Sequence, residues 1–168
     1  MSVIVDEDQT AISRSIITLL QGVLDAVVST YASAGIDLPD RRYWLLSEPV
    51  VDCEQVTVSL MQAYVGPPGD EASLPQRCDA VKTAVMQIQV HRCVPTTSAR
   101  GKSPTAAAIQ GASEALAIDA FLLLDSANAL EMWDISNGPG LGVIATVEVL
   151  QPQGGYQAVL LNLTTAIP

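Results

Sequence analysis

The chain has 168 residues, of which 49% are apolar and only 15% charged. That is long enough for one domain with a real core, yet well under the usual quarter of charged residues, so much of its surface is expected to be covered by other protein. The net charge of −10 argues against sequence-specific nucleic-acid recognition, because binding to phosphates relies on Lys and Arg displacing counterions.

The opening segment, MSVIVDEDQ, holds acids and no basic n-region, which argues against a signal peptide and for synthesis in the cytosol. From Gln9 to about Ser33 apolar residues recur every three or four positions: Ile12, Ile16, Leu19, Val23, Val27 and Tyr31. Arg14, Gln21 and Asp25 fall on other faces, so the segment reads as one amphipathic helix. Asp6, Glu7 and Asp8 suit the positive end of its dipole, Gly35 is a natural residue just past its end, and Pro39 closes the exit.

Residues 43–50 suggest a short strand with Pro49 at an end or edge. From Glu54 to Val65 the pattern alternates, with Val56, Val58, Leu60 and Tyr64 on one face and Gln55, Thr57, Ser59 and Met61 on the other. Residues 66–79, GPPGDEASLPQRCD, form a loop far longer than a hairpin needs, and loops of that length are commonly functional. A second alternating strand covers 81–94. Paired antiparallel across the loop, residues whose numbers add to about 147 face each other, which sets Cys53 or Glu54 opposite Cys93.

A second helix is expected with Ser103 as N-cap and Pro104 at its first position, running to about Asn128. Ala108, Ala112, Ala115, Ile118 and Leu122 give it a small-residue face suited to close packing. Residues 129–136 read as a short helical turn, and 141–150 and 156–165 as two strands joined by QPQGG. The order α-β-β-β-α-β-β over a single domain of residues 1–168 implies an α+β fold. The economical packing is one mixed, mostly antiparallel sheet with two main helices on one face. No uninterrupted apolar run nears the roughly 18 residues of a membrane span, so no membrane partner is expected.

Catalytic and metal-binding patterns are weak. His91 and Cys93 share a strand face but lack an orienting third group, so His91 reads as a plain strand-end histidine. Cys53, Cys93 and His91 lack a fourth metal ligand, and Cys53, Cys78 and Cys93 read as reduced thiols in a cytosolic chain. The acids Asp37, Asp40, Glu48, Asp52 and Glu54 flank turns; a small cytosolic hydrolase using Asp52 and Glu54 is the alternative from a different class. GPPGD and NGPGLG lack the lysine and helix entry of a phosphate loop. No catalytic residue, cofactor or metal site is therefore assigned. Charge is uneven: residues 81–120 carry +2, while 121–168 hold no Lys or Arg. Arg100 and Lys102 precede the second helix at the positive end of its dipole, where cations are disfavoured. Acids of an adjacent subunit would explain that placement.

The strand DCEQVTVSL, the proline-rich loop, MQIQVHRCVPT and the alanine-rich helix after Pro104 together resemble the tail terminator proteins of long-tailed (siphovirus-type) bacteriophages, particularly those of actinobacterial hosts. These cues span roughly residues 50–125. The resemblance implies a non-enzymatic virion protein of the tail and neck, assembled in the host cytoplasm. It implies a ring, usually a hexamer, that caps the tail tube and docks to the head–tail connector or stopper, with genomic DNA passing through the lumen unbound. Stopper, adaptor and tail tube proteins of the same particles are the alternatives within that class. As inter-subunit contacts the sequence offers Arg100 and Lys102, together with Pro67, Pro68, Asp70, Glu71 and Pro75 of the long loop.

Overall fold

The structure, a computed structural model, describes residues 7–50, 52–68, 82–97, 101–134, 144–153 and 155–167. Chain order is α1 (Glu7–Ala34), β1 (Arg41–Leu45), β2 (Gln55–Val65), β3 (Lys82–Cys93), α2 (Ala106–Asp134), β4 (Ile144–Val149) and β5 (Tyr156–Ile167). This is the α+β order read from the sequence. The five strands form one sheet in the order β1-β2-β3-β5-β4, with β1 parallel to β2 and every other pair antiparallel.

Helix α1 lays Leu20, Val23, Leu24, Val27 and Tyr31 on the sheet. Its end is set by Gly35, whose φ of 66° is a left-handed conformation that other residues adopt only at a cost. There the Gly35 N–H donates to Ala32 O (3.1 Å) and the Ile36 N–H to Tyr31 O (3.1 Å), the paired bonds of a Schellman cap. Half-buried Ile36 then packs against the core.

Helix α2 starts later than the sequence suggests. Its first turn is capped by Thr105, whose Oγ1 accepts the Ala108 N–H (3.2 Å), so Thr105 rather than Ser103 takes the N-cap role. It also continues without a break through residues 129–134. The buried stripe is rotated from the small-residue face: Leu116, Asp119, Leu122, Leu123, Ser126 and Ala127 are buried, while Ala108 and Ile118 are exposed. By length and composition alone both helices could cross a bilayer, although no uninterrupted apolar run does. Here each packs against the sheet, and α2 carries a buried, ion-paired aspartate.

The hairpin of β2 and β3 contains a bulge between Leu60 and Gln62, which decides two details. On the loop side paired residue numbers add to 147, and beyond the bulge to 146. The extra residue therefore carries Cys53, not Glu54, to Cys93. The two form a disulfide with Cα atoms 5.1 Å apart, which corrects the reduced-thiol reading of this pair. The bulge also swaps faces: Tyr64, opposite Thr83, lies on the face away from the helices, not with Leu60.

Candidate interaction surface

On the helix-covered face, β2, β3 and β5 contribute Val56, Val58, Met86, Ile88, Val90, Val159, Leu161 and Leu163, all buried. The alternation of β3 continues that face to Arg92. Its guanidinium forks onto Asp119 of α2, Nε to Oδ2 and Nη2 to Oδ1, both at 2.9 Å, and Nη2 also reaches Asp37 O at 3.0 Å. The Tyr31 hydroxyl of α1 donates to Asp119 Oδ1 at 3.0 Å. Asp119 is fully buried and the Arg92 side chain is 22% exposed. Burial, reinforced by the Asp119 charge, pushes the Tyr31 phenol far above its usual range. The hydrogen bonds that Arg92 donates to Asp119 raise its pKa above the usual value. One carboxylate thus ties both helices to the sheet. This triad was not among the candidate residues read from the sequence, where strand spacing offers a signal for Arg92. Arg92 follows Met86, Ile88 and Val90 at strand spacing; Asp119 lies off the small-residue face that the sequence suggests for α2, within the stripe that the structure buries.

A cleft of about 470 Å³ opens beside Arg92, walled by Asp37, Asp40, Arg42 and Glu54 over Tyr31. Both cations already have acceptors, since Arg42 donates to Pro39 O (2.7 Å) and Leu38 O (3.0 Å). Asp52, half of the alternative carboxylate pair, is ion-paired with Arg41 at 2.7 Å and accepts the Cys53 N–H at 2.8 Å. Glu54 holds a left-handed φ of 56° where the chain enters β2.

The opposite face is polar. Gln55, Thr57, Ser59 and His91 are fully or almost fully buried there. His91 is therefore no solvated strand end. Its Nε2 lies 2.7 Å from Gln89 Oε1, Gln89 Nε2 donates to Gln87 Oε1, and Gln87 Nε2 donates to Asn162 Oδ1 at 3.2 Å. That chain of amides sets the Nε2–H tautomer, and Nδ1 is left an acceptor with no donor among the described residues. Burial holds the imidazole below its usual range. Cys93, held in a disulfide, is no thiolate for His91 to activate, and among the described residues no three potential metal ligands cluster.

Of the contact residues expected from sequence, Arg100, Asp70, Glu71 and Pro75 lie outside the described residues. Pro67 is exposed beyond the end of β2, where its carbonyl accepts the Tyr64 hydroxyl (3.3 Å), and Pro68 is half-buried. Lys102 is exposed just before α2. A separate feature went unread. Large apolar side chains stand in solvent on the outer side of α2 (Phe121 is 66% exposed) and at both sheet edges, with Leu46 and Val50 (78%) after β1 and Ile144, Val149 and Leu150 along β4. Exposure of this kind marks surfaces that associate.

No protein-family model matches the chain and no curated protein is similar to it. Among solved structures, a chain of the virion of a native gene transfer agent particle is similar at 15% identity and a TM-score of 0.38. The match covers 88% of this chain and 90% of that one. Neither a family nor a role follows from a likeness of that size.

Proposed function

We propose that this chain is a structural protein of a phage-like virion, a ring-forming subunit that caps the tail tube and joins it to the head–tail connector. The observation that supports it best is the apolar exposure at both edges of the sheet and along the outer side of α2. A chain with few charges and an unburied apolar surface at both ends is suited to repeated self-contact. The sequence resemblance to tail terminators supplies the particular role, the hexameric copy number and the partners: tube protein on one side, connector or stopper on the other. An acidic chain would let DNA pass without sticking.

Within this reading the 66–79 loop meets an adjacent ring, its prolines lowering the ordering cost on docking. Arg100 and Lys102 reach acids of a neighbouring subunit, in α1 or among residues 37–54. Electron microscopy and mass photometry of the purified protein, alone and with tails, test the proposal. A ring of roughly six copies on tail ends is the expected result. Tails that mature normally without the protein would sink the reading. Shortening Gly69–Pro75 to a tight turn is expected to leave the domain folded and to block tail completion; a normal particle yield would retire the loop's role.

A further inference from the structure

The sheet ends in two unlike edges. β1 presents Arg41 and Arg42, whereas β4 presents Glu148 within a segment, 121–168, that holds no Lys or Arg. Among the described residues neither outer edge carries a strand. Both are flanked by exposed apolar side chains, which makes them templates for strand addition.

Strand directions restrict what can be added. β1 runs with β2, β3 runs against β2, β5 against β3 and β4 against β5, so β1 and β4 point in opposite directions. A second copy placed edge to edge, with its helices on the same side, brings its β4 antiparallel to β1 of the first. Like edges could also meet across a two-fold axis, but β1 on β1 joins two cationic edges and β4 on β4 two anionic ones. Only the unlike pairing sets Arg against Glu.

We propose that neighbouring copies join head to tail, β4 of one extending the sheet at β1 of the next, in the register Arg41↔Glu148, Tyr43↔Thr146, Leu45↔Ile144. In this register each side chain keeps its face: the named pairs lie on the polar side, and Arg42 meets Val147 and Trp44 meets Ala145 on the helix side. Arg41 already binds Asp52 (2.7 Å), yet its side chain remains 53% exposed, and a guanidinium with five donors accommodates a second carboxylate. Such an interface is heterologous, so repetition closes a ring or extends a filament. The inference deepens the ring reading, on which it rests for closure.

The test uses full-length chains carrying Cys78→Ser. One also carries Leu45→Cys and the other Ile144→Cys, and they are mixed under mild oxidation and run on non-reducing gels. A covalent dimer in the mixture, and in neither variant alone, is expected. A dimer formed by one variant alone shows like edges meeting and overturns the proposal. No cross-link in the mixture while the wild-type chain forms rings overturns the edge pairing and leaves the ring reading standing. A wild-type chain that never assembles, even on tails, overturns both. In the same assay Glu148→Arg should raise the concentration for half-assembly roughly tenfold or more, and adding Arg41→Glu in the same chain should bring it back. Unchanged assembly of Glu148→Arg also overturns the proposal.

Discussion

Asp119 accepts three bonds at once, two from Arg92 and one from Tyr31, and meets no solvent. Removing one member of a buried pair leaves its partner charged and unmatched, so Asp119→Ala should cost about 3–5 kcal/mol. Tyr31→Phe removes a single bond to a charged acceptor and should cost about 1.5–3 kcal/mol. Chemical denaturation of both variants checks the order; equal, small losses would remove the triad from its structural role. His91 makes a pH prediction. Burial depresses its folded pKa, so as pH falls through about 6.5 the unfolded chain takes up a proton that the folded chain refuses. Stability is therefore fully present above that pH and declines below it, down to the folded pKa. Melting curves from pH 7 to 5 should fall more steeply for the wild type than for His91→Gln.

At the level of elements, the β2 bulge holds one residue more than the ladder needs. Leu60 pairs with Met86 and Gln62 with Val85, so Met61 faces no partner of its own. Deleting Met61 makes consecutive residues oppose consecutive residues with no other pair changed. Deleting Ser59 instead moves Leu60 to the polar face and Met61 into the core. The Met61 deletion is expected to keep the fold and the Cys53–Cys93 bond, with a midpoint shift on the order of 1 kcal/mol or less, and the Ser59 deletion to lose several. Denaturant midpoints and free-thiol titration separate the two. Similar behaviour of both deletions would contradict the register argument.

For the whole molecule, charge sets what the surface repels. With −10 in net charge and only eight Lys and Arg, the chain lacks the cations that drive counterion release from duplex DNA. Duplex DNA should migrate unretarded with the purified protein even at low salt, where charge attraction is greatest. Retention that weakens steeply with added salt would point instead to a basic surface formed on assembly. The exposed apolar residues of α2 and the sheet edges are the complementary half of the picture, repelling water rather than phosphate.

The chain's own periodicities determined the element order, the α+β class and the end of α1, because helix and strand spacing and a left-handed glycine act locally. Ser103 and Thr105 carry the same capping chemistry, so the sequence alone does not separate them, and it is Thr105 that caps α2. Strand order, with β5 inserted between β3 and β4, and the parallel seating of β1 were decided by tertiary structure. So was the disulfide, which depends on a one-residue bulge that alternation alone does not register. Arg92 and Asp119 lie 27 residues apart, in separate elements that each hold other charges. Only the packing of α2 across the sheet joined them, because a buried charge is tolerable only where its partner is brought to it.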